Sequence, residues 1–288
     1  MITEIPVSFQ CGVDYLYGVL HQPQKNSTRG VLIVVGGPQY RVGSHRQFIL
    51  LARQLASVGI PALRFDYRGM GDSDGAVRTF ETIDADIRKA IDVFIQQIPS
   101  LNEIVIWGLC DAASAALFYA PTDTRVSGLV LLNPWARTDA GKAGAYIKHY
   151  YLTRLIDPDL WRKIARGEFQ AGAAVGSFWQ QLMTWLGFKR AATTHDDKTT
   201  NTPAPAALRL RMYDSLRRYS GRVLLILSGD DLTAGEFKDM VAASRPWRRL
   251  LRQARVTQRD LPGANHTFSR QAWRAQVETW TATWVKSW

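Results

Sequence analysis

Short, continuous apolar runs alternate with helical stripes along most of the chain, and this alternation constrains the fold more than any other feature. The runs Gly30 to Val35, Ala62 to Asp66, Glu103 to Trp107, Gly128 to Asn133, Arg222 to Ser228 and Val256 to Leu261 have strand length. Apolar runs of this kind suit parallel strands buried on both faces. Between them Phe48, Leu51, Leu55 and Val58 recur at helical spacing, as do Phe80, Ile83, Ile87, Ile91, Phe94 and Ile98. Trp273, Val277, Trp280 and Trp284 make a third such stripe near the end of the chain. Strand and helix in turn predict an α/β fold with a mostly parallel, doubly wound sheet. Two further strands, Ile2 to Phe9 and Tyr15 to His21, flank Gln10 to Asp14 and predict an antiparallel hairpin feeding that sheet.

One stretch breaks the pattern. No strand candidate occurs between Ala136 and Ser220, where Val175, Phe178, Trp179, Leu182 and Leu186 trace an amphipathic helix. The expected organisation is a core of residues 1–135 and 221–288 with a helical cap inserted at 136–220. Within it Arg190 to Ala206, polar and proline-bearing, predicts a mobile loop.

Several function classes lose support at once. Cys11 and Cys110 are the two cysteines, too few and too far apart for a disulfide framework or a cysteine metal site. His21, His149 and His195 have no companions at metal-ligand spacing, so no metal is expected. No phosphate-binding glycine motif follows a strand, and no cofactor is expected. The first residues, MITEIPVSFQ, lack a basic segment followed by an apolar one, and no run approaches the ~20 residues that span a bilayer. A cytoplasmic protein with at most peripheral membrane contact is expected.

The residues that carry chemistry centre on VIWGLCDAAS, Val105 to Ser114. An apolar strand runs into Gly108-Leu109-Cys110-Asp111-Ala112, and an alanine-rich helical segment follows. Small residues two before and two after Cys110 permit a sharp strand–turn–helix that lifts the central side chain into a site. The helix N-terminus would then favour a thiolate and an oxyanion. Alone, Cys110 reads equally well as a small buried residue. Its companions weigh against that. After the strand Val223 to Leu227 comes Ser228-Gly229-Asp230-Asp231, and after the next strand comes Leu261 to Asn265 and then His266. Each of these three segments follows a strand, which places all of them on the sheet's carboxyl edge.

Nucleophile, acid, histidine is the chain order of the α/β-hydrolases, and the sequence resembles that superfamily over nearly its whole length. The resemblance implies a triad of Cys110 as nucleophile, His266 as general base and Asp231 as orienting acid, with Asp230 as the other candidate acid. It also implies an oxyanion hole made by a backbone amide of Gly36-Gly37-Pro38-Gln39 and the amide of Asp111. Pro38 has no N–H, so Gly37 is the first candidate and Gln39 the second. Arg64 to Ser73 looks like the structural R-x-G-x-G-x-S turn of that fold. More closely, GGPQYRVGSHRQF (36–48), LRFDYRGMGDSDG (63–75), WGLCDAASAA (107–116) and LLNPW (131–135) resemble the hydrolases associated with exosortase A systems of bacterial exopolysaccharide loci. Cysteine in the nucleophile position, where serine is usual, is shared with dienelactone hydrolases and polyhydroxyalkanoate synthases.

The expected reaction is cleavage of an acyl ester or thioester through an acyl-thioenzyme. The substrate is expected to be a small acyl compound, carried on CoA or a carrier protein. Transfer of the acyl group to a glycan or lipid precursor is the second reading, and a non-catalytic hydrolase-like scaffold the third. An Asp111 carboxylate facing Cys110 would disfavour the thiolate, so Asp111 is expected to turn away or to engage Arg41 or His45. Arg41 and His45 follow the oxyanion loop and are candidates for substrate contact, or else surface residues opening the helix at Ser44.

The charge belongs to this question. Lys and Arg number 36 against 25 Asp and Glu, a net charge of +11. Residues 136–220 hold 14 basic and 7 acidic side chains, and residues 245–259 hold six arginines and no acid. The excess is expected in the cap and in an arginine-rich helix beside the Asp231 loop. No recognition motif accompanies it, so nucleic acid is not expected as a partner. An anionic substrate handle, an acidic carrier protein or an anionic membrane surface fits the charge, as does a solvated helix face.

Overall fold

The computed structural model describes residues 2–25, 27–37, 39–136 and 205–288. Eight strands form one sheet: β1 (Thr3–Cys11), β2 (Asp14–Gln22), β3 (Arg29–Val34), β4 (Ala62–Phe65), β5 (Glu103–Leu109), β6 (Val126–Leu132), β7 (Arg222–Ser228) and β8 (Val256–Leu261). Their order is β1-β2-β4-β3-β5-β6-β7-β8. The β1–β2 hairpin is antiparallel, β2 meets β4 antiparallel, and every later pairing is parallel. The described helices are α1 (Gln47–Ser57), α2 (Asp84–Gln97), α3 (Asp111–Tyr119), α4 (Pro205–Arg218), α5 (Leu232–Ala243), α6 (Arg245–Leu251) and α7 (Gln271–Lys286). The α/β reading of the sequence holds strand for strand.

The continuous runs become the centre of the sheet because both faces are covered. β3 and β7 are buried at every position after their first residue. Phe48, Leu51 and Leu55 of α1 and Val277, Trp284 and Val285 of α7 pack with Val31, Ile33, Trp107 and Val130 in one apolar cluster. The tryptophan stripe is therefore largely a packing surface. Among the described residues no helix is long and apolar enough to cross a membrane.

The chain divides into a unit of residues 1–136 with 210–288 and a second of 137–209. Most of α4 thus goes with the sheet unit, whereas the sequence assigned everything up to residue 220 to the cap. The expected loop at 190–206 lies outside the described residues up to 204, and Pro205 opens α4 instead of closing a loop. The amphipathic helix expected around 175–186 also lies outside them.

The expected R-x-G-x-G-x-S turn is a buried polar knot. Arg64 donates Nε–H to His21 Nε2 at 2.9 Å, and Arg68 holds Asp86 through Nε and Nη2, both at 2.9 Å. His21 is fully buried, and burial, then the Arg64 charge, push its pKa down to about 4. The unfolded chain takes up that proton near pH 6.5, so between the two values the unfolded state binds more protons. Stability is therefore expected to fall as pH drops through this window, by about 1.4 kcal/mol per pH unit. Thermal melts of wild type and His21→Gln over pH 4 to 7 test this. Parallel curves would show that His21 is not the group responsible.

Candidate active site

Cys110 sits between the end of β5 and the start of α3, with φ 65° and ψ −123°. That conformation is rare for a residue with a side chain and costs about 1–3 kcal/mol. Backbone hydrogen bonds hold it, the shortest three among them to Leu132, Ala113 and Trp135. Cys110 donates to Leu132 O at 2.9 Å, and its carbonyl accepts from Ala113 and Trp135, both at 3.1 Å. The predicted need for small neighbours is met: a Cβ on Gly108 would lie 2.6 Å from the Ala112 carbonyl carbon and oxygen. The Cys110 side chain is half-buried at the carboxyl edge of the sheet.

Asp231 and His266 meet across the loops that follow β7 and β8. The His266 Nδ1 to Asp231 Oδ2 distance is 2.9 Å, and the Asp231 side chain is 5% exposed. Asp231 also caps α5, accepting from the amides of Thr233 at 3.1 Å and Ala234 at 3.3 Å. Those bonds fix its rotamer, leaving the second lone-pair direction for the imidazole. Asp230 has an exposed side chain, and its amide donates to Ala264 O at 2.9 Å. Asp231 is thus the carboxylate brought to His266, and Asp230 is not.

One part of the support escaped the sequence reading. Asn133, at φ 44° after β6, accepts from the Ser228 amide at 2.8 Å and donates to Ser228 Oγ at 2.9 Å. Ser228 Oγ in turn donates to Asn265 O at 3.2 Å, next to His266. The ends of β6 and β7 are thereby tied to the histidine loop. The only signal was an asparagine ending a strand, a residue type that tolerates left-handed backbone.

Asp111 departs from expectation. Its carboxylate engages backbone amides and not Arg41 or His45. Oδ1 accepts from the Gly37 amide at 2.7 Å and from the Ala112 amide at 2.9 Å. The fit is close: a Cβ on Gly36 would lie 2.5 Å from the same oxygen. Burial pushes the Asp111 carboxyl above the usual range, against the pull of the Gly37, Ala112 and Asp111 amides and of His266. The Gly37 N–H, the first oxyanion candidate, is therefore occupied by the chain's own carboxylate, and the Asp111 N–H faces the same group. Pro38 lies outside the described residues. Gln39, the second candidate, accepts from the Ser44 amide through Oε1 at 3.1 Å.

Arg41 also departs from its expected role. Its guanidinium pairs with Asp66 and, at 2.6 Å, with Asp72, and its amide donates to Asp66 Oδ1 at 2.5 Å. Asp66 is fully buried, so Arg41 neutralises a core carboxylate and is not free for substrate. His45 is exposed in the one-turn helix Ser44–Arg46, at φ 55°.

These elements together make a strained thiol at a helix N-terminus, a histidine oriented by a capping carboxylate, and a nest of backbone amides filled by a neighbouring acid. A family profile described as "Alpha/beta hydrolase family" matches residues 31–279. None of the curated proteins compared matches the sequence. Solved structures with the same fold include an esterase from Pyrococcus furiosus (15% identity, TM-score 0.65, covering 100% of this chain and 92% of that one). A thermostable carboxyl esterase from Bacillus coagulans is similar at 17% identity and TM-score 0.63, covering 99% and 98%. A dienelactone hydrolase from Anabaena variabilis is similar at 15% identity and TM-score 0.57, covering 98% and 96%.

Proposed function

Because the chain belongs to the alpha/beta hydrolase family, we propose that it hydrolyses an acyl ester or thioester with Cys110, His266 and Asp231 as its triad. The observation that carries this reading is the 2.9 Å His266–Asp231 contact on the same sheet edge as the strained Cys110 turn. Asp231 holds Nδ1–H of the imidazole, leaving Nε2 as the base. His266 takes the Cys110 proton, and the thiolate attacks the acyl carbon. Collapse of the tetrahedral intermediate expels the alcohol or thiol, which takes the proton back from His266. Water, deprotonated by His266, then attacks the acyl-thioenzyme, releasing the acid and the Cys110 thiol. A cysteine nucleophile favours thioesters, since the acyl group exchanges between sulfurs at little cost. The resemblance of residues 36–48, 63–75 and 107–116 to exosortase-associated hydrolases supports an acyl substrate from exopolysaccharide metabolism, carried on CoA or a carrier protein.

Intact mass spectrometry after incubation with p-nitrophenyl acetate tests the reading directly. A single acetyl adduct on Cys110 that disappears in His266→Ala is the expected result. Absence of the adduct in the folded wild type would remove the mechanism. One observation favours a second reading, a non-catalytic scaffold: the Asp111 carboxylate holds the Gly37 amide that an oxyanion would need.

A further inference from the structure

The arginine-rich segment is not where the sequence placed it. Asp231 opens α5, and that helix runs twelve residues before Arg245 begins α6. At 1.5 Å per residue the segment is carried about 18 Å away from the triad loops. It arrives beside the end of α4, which itself feeds the start of β7 at Arg222. The arginines therefore lie toward the amino edge of the sheet, opposite Cys110 and His266.

There they surround a groove of about 760 Å³ whose lining includes Tyr213, Arg217, Arg245, Arg248, Arg249 and Arg252. That volume falls within the range of small-molecule sites, and a concave groove suits a compact ligand better than a flat surface. Its floor is fixed. Trp247 is buried and meets Tyr213 and Phe237 edge-on, with ring centroids 5.6 and 5.9 Å apart. Arg255 is used structurally, donating to Leu216 O at 2.8 Å and so tying α4 to the strand below it. Arg248 donates to Ala242 O, and Arg217 has a carboxylate, Asp214, 3.6 Å away. The side chains of Arg245, Arg249 and Arg252 make neither an ion pair nor a hydrogen bond among the described residues. Among the described residues, five guanidinium groups around one groove with a single distant carboxylate repel one another, and a bound anion relieves that repulsion.

We propose that this groove is a second site, separate from the triad, for a small molecule bearing two or more phosphoryl groups. Guanidinium forks match phosphate oxygens bidentately, and several forks around one groove favour a diphosphate over a single phosphate. The diphosphate is either a free small molecule or the headgroup of a lipid, and the experiment separates the two.

Calorimetric titration of the full chain with inorganic pyrophosphate is expected to show binding at least about tenfold tighter than orthophosphate. Binding is expected to weaken as salt rises. The variants Arg249→Ala/Arg252→Ala and Arg217→Ala/Arg245→Ala should each lose about tenfold or more in pyrophosphate affinity, with unchanged melting temperatures because these four side chains are exposed. Vesicles containing a long-chain polyprenyl diphosphate form the second arm: capture that pyrophosphate competes away assigns the site to a lipid-borne diphosphate. No pyrophosphate binding, or binding that both variants keep, overturns the proposal. So does capture by vesicles of phosphatidylglycerol without any affinity for pyrophosphate, which would make the face a membrane contact.

Discussion

Replacing Cys110 by alanine is expected to lower kcat/KM for an activated ester by at least about 10³-fold, to the level left by substrate binding alone. In the proposed mechanism the thiol supplies the bond that splits one difficult displacement into two easier ones. The fold should be indifferent. The backbone bonds to Leu132, Ala113 and Trp135 that hold the turn are independent of the side chain, and the side chain is only half-buried. Alanine is also no worse than cysteine at φ 65°. Melting temperature measured beside activity separates loss of chemistry from loss of structure. Cys110→Ser is the sharper comparison. A hydroxyl is far harder to deprotonate than a thiol, so the serine variant should retain little activity, and least on thioesters. Equal turnover by the serine variant would sink the claim that sulfur matters. Full turnover by the alanine variant would sink the triad.

The centre of the sheet was legible because burial on both faces leaves a plain trace: β7 begins and ends where its apolar run does. β8, read as another such run, is instead a polar, largely exposed edge strand, VTQRDL. The β1–β2 hairpin is longer than its run suggests, since the edge strand alternates exposed and buried residues and ends only at Gly12, φ 69°. Asp231 and His266 were legible for a topological reason. In a parallel sheet every loop after a strand opens on one edge, so chain order alone brings them to the same edge as Cys110. Choosing between Asp230 and Asp231 needed the helix cap, which uses one carboxylate and exposes the other. Arg41 was misread because its partner, the buried Asp66, lies 25 residues away and is drawn in by the turn that follows β4. The arginine segment was misplaced because nearness in sequence ignores the rise of an intervening helix.

Asp111 is the residue that sequence could not orient, and substituting it is expected to give the second large effect, opposite in sign. Its carboxylate oxygen bonds the Gly37 amide, a partner 74 residues away that no local pattern reveals. In the triad mechanism that amide and the amide of Asp111 stabilise the tetrahedral oxyanion. A carboxylate in their place withdraws the donor and sets a like charge against the one that develops. Losing a single oxyanion donor costs about 10²–10³ in rate. Asp111→Ala should therefore raise kcat/KM at neutral pH by about 10²-fold, and Asp111→Asn by less, since its amide oxygen still accepts from Gly37 without the charge. The pH dependence follows with a definite sign. Ionisation of Asp111, whose pKa burial raises, closes the amides and makes activity fall as pH rises. Wild type should show this descending arm, and both variants should lack it. A fall in kcat/KM in Asp111→Ala, with Cys110 still acylated, would instead make the carboxyl a working acid. Failure of all three proteins to acylate Cys110 would leave the Asp111–Gly37 bond as the mark of a hydrolase fold turned to binding.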